Sequence, residues 1–168
     1  DLSKTCTKSG WTFVGWNTDS NATAKLNSYT MPSSAKTLYA IYSKEVTITF
    51  KANGCVSSDQ TPKITLYNKQ TNGTVSVPTV TMNSGWTSLG ASDSATSQTQ
   101  GTAMGSNMTI SNIGGTTTSV TRYYNCKKDV TVTFNANGCT TSDQSKTMTV
   151  YNGATSGSVV VPSATKIA

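Results

Sequence analysis

Cysteine is the residue type in this sequence with the clearest capacity for chemistry. The 168 residues include four cysteines and no histidine. The cysteines show no Cys-x-x-Cys spacing, and without histidine a tetrahedral zinc site is hard to complete, so we expect no metal. An even number of cysteines in a chain rich in serine and threonine favours disulfides, which persist in an extracellular setting. The four residues are Cys6, Cys55, Cys126 and Cys139.

Acid–base chemistry has few candidate residues. Seven carboxylates are present, Glu45 is the single glutamate, and the many serines lack a histidine base. Asp59 and Asp143 occupy the same position in two copies of Ser-Asp-Gln, which is typical of turns and not of a reaction centre. A hydrolase built from two distant carboxylates remains the enzymatic alternative, because folding can bring such residues together. The sequence therefore predicts a protein that is not an enzyme and uses no cofactor.

The charge pattern argues against nucleic acid and membrane partners. The formal net charge is +6, but the basic residues are scattered and only Lys127 and Lys128 are adjacent. Nucleic-acid sites concentrate lysine and arginine on one face, and a spanning helix needs a long apolar stretch. We expect no nucleic-acid binding and no membrane insertion, while attraction to anionic glycans or cell-wall polymers stays open.

Aromatic side chains are the remaining candidates for ligand contact. Exposed rings could form a face for sugars or for a host surface protein, whereas small β-modules also use such rings as their core. We interpret them as packing residues within or between modules, with ligand binding as the alternative. Trp16 is the most distinctive, because the second copy of its segment has Ala91. The candidates are Trp16, Tyr39, Tyr42, Tyr123 and Tyr124.

The sequence contains a long internal repeat. The stretch "VTITFKANGCVSSD" begins at Val46, and "VTVTFNANGCTTSD" begins at Val130; we call the offset between these two valines the sequence period. Self-similarity at a fixed period is typical of repeat proteins. It predicts a C-terminal part of one repeat at 1–45, a complete repeat at 46–129 and an N-terminal part of a following repeat at 130–168. The two outer parts together make one further period, so the repeat is cut out of phase, as expected for a window on a tandem array or on a head-to-tail fibre.

Short alternating runs predict a mostly β structure. Within the complete repeat the runs are "VTITF", "KITLYN", "TVSVP", "GWTSLGA", "NMTIS" and "SVTRYYNC". Gly54 can take a positive φ in the turn after the first run, and Pro78 suggests a strand end or an edge. No long segment shows a helical period, so we expect little or no helix.

These runs resemble the Listeria–Bacteroides repeat family, also described as the internalin B-repeat. The matching pieces are "VTITFKANGC", "ITLYN", "VSVP", "SGWTFVGWNTD" and "TLYAIY". The resemblance implies tandem small β-grasp-like modules with a mixed sheet, found on bacterial surface proteins beside adhesive domains. The family carries no catalytic residues to transfer.

The resemblance also implies a disulfide pairing. The second glycine of the family's "ANGG" turn is a cysteine here in both copies. In a β-grasp arrangement the first and last strands lie side by side, which would bring Cys55 close to Cys126. Cys139 would then pair with Cys6 in the unit restored by joining the two ends, within one long array or between two molecules. Sequence alone leaves three connectivities open.

Together these features predict a secreted structural repeat, a stalk or fibre of a bacterial cell-surface adhesin stabilised by disulfides. Its partners would be neighbouring repeats or identical subunits arranged head-to-tail. Two alternatives remain. The chain could be a filament subunit that its neighbour completes, because strand addition is a common recognition mode, or it could be a module that binds a glycan or a host protein.

Overall fold

The computed structural model of the protein describes residues 2–138 and 142–163. Cys139 lies outside the described residues, as do Asp1, 140–141 and 164–168. The described residues form eight strands and no helix. The strands are β1 (Thr12–Asn17), β2 (Tyr39–Lys51), β3 (Lys63–Tyr67), β4 (Gly73–Ser76), β5 (Thr87–Ser92), β6 (Asn107–Ile110), β7 (Ser119–Phe134) and β8 (Gln144–Tyr151).

The chain divides into two compact units. Several chain segments contribute to each, because β2 and β7 run from one unit into the other. The boundaries predicted at 45/46 and 129/130 divide the chain by sequence similarity and not by compactness, and the division into repeats stays a prediction. Unit 1 is Asp1–Thr49, Gln60–Pro78 and Gly105–Thr121, and unit 2 is Phe50–Asp59, Thr79–Met104 and Arg122–Ala168.

In unit 1, β1, β2 and β3 form an antiparallel meander with β2 in the centre. Ser43 of β2 pairs with Thr12 of β1 on one side and with Tyr67 of β3 on the other. A bulge interrupts β1 between Phe13 and Gly15. The same unit contains a two-stranded antiparallel ribbon of β4 and β6.

In unit 2, β5, β7 and β8 form a second antiparallel meander with β7 in the centre. Lys127 pairs with Thr87 of β5 and with Tyr151 of β8. A bulge interrupts β5 between Ser88 and Gly90. Lys127 lies one sequence period after Ser43, and Tyr151 lies one period after Tyr67, so the pairing of the outer C-terminal strand follows the period.

β2 and β7 are each one continuous strand where the sequence suggested two. β2 passes through the predicted boundary at 45/46, and β7 passes through the one at 129/130. Neither strand contains the glycine or proline that usually ends a strand, so nothing in the sequence breaks them there. The sheet is mixed.

The core of each unit consists of buried apolar side chains, many of them at alternating strand positions. In β2, for example, Val46 and Ile48 are fully buried, while Glu45, at a position that faces the opposite way, is exposed. Unit 1 buries Ile41, Val46, Ile48, Ile64, Leu66, Val75, Val77, Met108, Ile110 and Ile113. Unit 2 buries Phe50, Cys55, Val56, Leu89, Ala91, Tyr124, Cys126 and Val150.

Candidate functional site

A buried disulfide lies in unit 2. Cys55 and Cys126 are joined with a Cα–Cα distance of 5.7 Å, and both are fully buried. Cys55 follows the Asn53-Gly54 turn at the end of β2, and Cys126 lies within β7. This is the pairing that the family resemblance implied. The bond closes a loop between residues 71 positions apart.

The turn before Cys55 is held by side-chain amides. Asn53 and Gly54 have φ values of 54° and 71°, the left-handed conformation expected there. Asn53 Nδ2 donates to the carbonyl oxygens of Ala95 and Tyr124 at 2.8 and 3.0 Å. Asn83 Nδ2 donates to the carbonyl of Gly54 at 3.0 Å. The segment carrying Cys55 is therefore fixed by hydrogen bonds as well as by the disulfide.

The two repeated aspartates stabilise this turn in each copy. Asp59 Oδ1 accepts a hydrogen bond from the amide of Ala52, and Asp143 Oδ1 accepts one from Ala136, both at 2.8 Å. Lys51 Nζ also lies 2.8 Å from Asp59 Oδ2. This hydrogen bond from Lys51, followed by the one from Ala52, lowers the pKa of Asp59. Both aspartates thus have the turn role that the Ser-Asp-Gln repeat suggested.

An asparagine clamp, which we define as Asn68 in unit 1 and Asn152 in unit 2, ties the end of the third meander strand to the central strand. Asn68 donates its amide to the carbonyl of Tyr42 at 2.9 Å, and its Oδ1 accepts the amide of Tyr42 at 3.0 Å. Asn152 makes the same two bonds with Cys126, at 2.9 and 3.1 Å. Both asparagines have positive φ, 57° and 52°.

The third bond of each clamp reaches a distant loop. Asn68 Nδ2 donates to the carbonyl of Ala22, and Asn152 Nδ2 donates to that of Ser97, both at 2.9 Å. The sequence interpretation missed this clamp. A signal was nevertheless present, because "YN" occurs at Tyr67-Asn68 and again one sequence period later at Tyr151-Asn152.

Cys6 lies in unit 1 beside Tyr42. Tyr42 stands one sequence period before Cys126, so a tyrosine occupies the disulfide position of the earlier repeat. Burial raises the pKa of Tyr42, and the Cys6 side chain, with which the phenol hydrogen-bonds, adds to this. Cys6 is half-buried and free within the described part of the chain. Its predicted partner, Cys139, lies outside the described residues, so that pairing stays a prediction.

Three of the candidate aromatic residues lie in unit 1. Phe13 connects two of them, because its ring meets Trp16 and Tyr42 edge-to-face at centroid distances of 5.7 and 5.8 Å. Trp16 Nε1 also donates to the carbonyl of Lys4 at 2.7 Å. Tyr39 is the most open of the three, with 43% of its surface exposed.

A groove of about 730 Å³ in unit 1 includes two of these rings. Tyr39 and Tyr42 share it with Tyr67, which the sequence interpretation did not single out. Lys8 lies at the groove as well, with Nζ 4.2 Å from the Trp11 ring centroid and 2.5 Å from the carbonyl of Asn68. The groove thus combines tyrosine rings with ammonium and amide groups. Its other lining residues are Ser20, Asn21, Ala40, Asn68, Lys69 and Gln70.

The other two candidate aromatic residues lie in unit 2 and differ in exposure. Tyr124 is fully buried, with its ring centroid 5.8 Å from that of Phe50. Burial raises the pKa of Tyr124 to about 12. Tyr123 is half-buried on the neighbouring position of β7. Tyr124 is therefore a packing residue, and the five candidates do not form one surface.

Lys44 is a buried basic residue that the sequence interpretation did not identify. It is 6% exposed, and its Nζ donates to the carbonyls of Gly114 and Gly115 at 2.5 and 3.0 Å. Burial lowers the pKa of Lys44, and the nearby charge of Lys8 lowers it further. The carbonyl partners explain how a charged group is accommodated in the core of unit 1.

No cluster of three or more histidine, cysteine, aspartate or glutamate side chains suited to a metal ion occurs among the described residues. Within the same ranges there is no helix long and apolar enough to cross a membrane.

A comparison with protein families gives a match to part of the chain. The family model of the Listeria-Bacteroides repeat domain matches residues 1–41, which contain β1 and the start of β2. No curated protein and no solved structure matches the chain. The similarity to the Listeria-Bacteroides repeat domain is therefore located at residues 1–41.

Proposed function

We propose that this chain is a non-catalytic structural repeat of an extracellular stalk or fibre on a bacterial surface protein. The observation that carries the proposal is the continuity of β2 and β7 through the predicted repeat boundaries. A repeat boundary within a hydrogen-bonded strand has no flexible linker, so successive repeats would be joined stiffly. Stiff joints are what a stalk requires in order to hold another domain away from the cell.

The matched strand registers support tandem β-grasp-like modules. The meander β1-β2-β3 and the meander β5-β7-β8 have corresponding bulges and corresponding pairs. In each, the clamp asparagine makes the same backbone contacts. Repeats stacked through nearest-neighbour contacts are the usual basis of extended rods.

The disulfide supports an extracellular location and a mechanical role. Extracellular compartments keep such bonds oxidised. When the chain is pulled, the bond between Cys55 and Cys126 would keep the intervening segment from extending. A stalk stapled in this way limits its own lengthening under tension.

Proteolytic shaving of intact source cells tests the proposal. Peptides of this chain should be released from the cell surface, and the parent species should migrate above the 17.6 kDa of the 168 residues. Lysed cells provide the control for total protein. A chain found only after lysis would contradict the proposal.

Binding of a glycan or a host protein is a second candidate function, favoured by the groove with its three tyrosines. Tyr39, Tyr42 and Tyr67 could stack on sugar rings, while Lys8 and Lys69 could attract acidic sugars. A screen of immobilised neutral and acidic glycans tests this idea.

Two alanine variants make the glycan screen specific. Tyr39→Ala should abolish any binding, whereas Tyr123→Ala, at the corresponding position one sequence period later, should not. Equal binding by the two variants would contradict a sugar site in this groove.

A further inference from the structure

The first residue of segment 157–162 packs against its unit in the same way as the first residue of β4 packs against unit 1. A Cβ placed on Gly73 would lie 2.6 Å from Ile64 Cδ1, and one placed on Gly157 would lie 2.6 Å from Met148 Sδ. Gly157 lies one sequence period after Gly73, and Met148 lies one period after Ile64. The later segment therefore rests on β8 in the way that β4 rests on β3.

β4 has a partner strand that covers its apolar side chains. Val75 pairs with Met108 of β6, and Gly73 pairs with Ile110. The pairing continues beyond β4, where the amide of Val77 donates to the carbonyl of Ser106 at 2.9 Å. As a result Val75 is 5% exposed and Val77 is fully buried.

The corresponding valines in the later segment are uncovered. Val159 corresponds to Val75 and is half-buried, while Val161 corresponds to Val77 and is 71% exposed. No described residue pairs with 157–160 as a strand. An edge with exposed valines that is not paired with another strand is a template for a further strand.

A segment resembling β6 exists elsewhere in the chain, also without a strand partner among the described residues. Residues 28–32 read "SYTMP", and 107–111 read "NMTIS". The first segment lies between β1 and β2, just as β6 lies between β5 and β7. Tyr29 and Met31 take the places of the two apolar residues that face β4, and Met31 is 81% exposed. Pro32 falls just after the pairing positions, where a missing amide is tolerated.

We infer that residues 28–31 of one molecule add as a strand to residues 157–160 of a second copy of this chain. The register follows from β4 and β6, with Met31 opposite Gly157 and Tyr29 opposite Val159. Met31 would then take the position opposite Gly157 that Ile110 takes opposite Gly73 in unit 1. This inference rests on the proposed function, since it specifies how successive molecules of the fibre join.

The two segments are different surfaces, so the contact is head-to-tail. A heterologous contact of this kind leaves one donor segment and one acceptor segment free at the ends of every assembly. Addition can therefore continue and produce a filament. A second copy is the occupant that the sequence itself supplies, because both halves of the interface are present in one chain.

Complementary charge variants test the interface. Met31→Asp disables the donor segment, and Val161→Asp disables the acceptor edge. Both side chains are largely exposed, so neither change should disturb folding. Val160→Asp is the matched control, because Val160 is 84% exposed and corresponds to Ser76, which stays exposed in the paired strand.

All variants are compared by analytical ultracentrifugation over a range of concentrations. They carry Cys6→Ala and Cys139→Ala, so that no disulfide between molecules contributes. The otherwise unaltered chain and the Val160→Asp control should form a series of species at multiples of the monomer mass, whereas each disabled variant should remain monomeric. An equimolar mixture of Met31→Asp and Val161→Asp should stop at dimers, because each supplies the one segment that the other lacks.

Three results would overturn the inference. They are a monomeric parent chain at high concentration, disabled variants that assemble like the parent, and a mixture that stays monomeric. Any of these would leave the proposed function untouched if cell-surface shaving still releases the chain. Failure of the shaving experiment would instead remove the proposed function, whatever the purified chain does.

Discussion

Removal of the Cys55–Cys126 disulfide should lower the free energy of unfolding by about 4 kcal/mol. The bond joins residues 71 positions apart, and the chain-entropy model gives a closed loop of that length about 4 kcal/mol at 25 °C. The appropriate variant is Cys55→Ala with Cys126→Ala. Both sites are fully buried, and alanine introduces no hydroxyl that would lack a hydrogen-bond partner.

Native-state hydrogen exchange measures this loss strand by strand. Amides of β5 and β8 should lose about 4 kcal/mol of protection in the double variant, which is roughly a thousandfold faster exchange. Amides of β1, which lies in unit 1 and outside the closed loop, provide the internal comparison. Cys6→Ala serves as the matched control, because Cys6 forms no disulfide with a described residue and its removal should leave β5 and β8 unchanged.

The reasoning would be refuted by a loss below about 1 kcal/mol, since loop closure alone predicts several times more. It would also be refuted if β1 lost as much protection as β5 and β8. In that case the disulfide would not act locally on the unit that contains it.

Further variants test the turns and clamps, each by chemical unfolding. Asn152→Ala and Asn68→Ala should each lower the free energy of unfolding by about 1–3 kcal/mol, because the backbone groups that these side chains bind are left without a partner. A change below roughly 0.5 kcal/mol, as for a neutral surface substitution, would contradict the clamp. Gly54→Ala should lower the free energy of unfolding by about 1–3 kcal/mol more than Gly138→Ala does. Both glycines have positive φ, but only at Gly54 would a Cβ lie 2.5 Å from a backbone atom. Equal losses would show that the positive φ alone, and not the close contact, determines the effect. Folding lowers the pKa of Asp59 from 3.8, so the ionised carboxylate stabilises the fold above that pH, and this stabilisation is lost as pH falls through the folded-state pKa. Asp59→Asn should therefore weaken the pH dependence of the free energy of unfolding below about pH 4. An unchanged pH dependence in acid would refute this.

Local sequence signals predicted the turns and most of the strands well. The alternation in "VTITF" and the "ANG" that follows depend on neighbouring residues only, and Gly54 has the positive φ that its position required. The expectation of separate strands on either side of 45/46 and 129/130 was wrong, because β2 and β7 continue through both positions. A repeat boundary is a feature of sequence similarity and does not by itself end a hydrogen-bonded strand.

Features that depend on distant contacts could not be predicted in the same way. The repeated "YN" marks Asn68 in the sequence, but its partners, the backbone of Tyr42 and the carbonyl of Ala22, are brought to it only by folding. Lys44 would be expected at the surface, as most lysines are. It is buried because the carbonyls of Gly114 and Gly115, distant in the sequence, receive its ammonium group.

Stretching single molecules tests most directly whether this chain is a stapled mechanical module. The chain, held by tags at its two ends, should resist extension until distinct rupture events occur. With the disulfide intact, the 71 residue steps between Cys55 and Cys126 stay closed, and reduction should add about 250 Å to the final extension at about 3.5 Å per residue. A featureless extension without rupture events, or the same final length with and without reductant, would contradict the account.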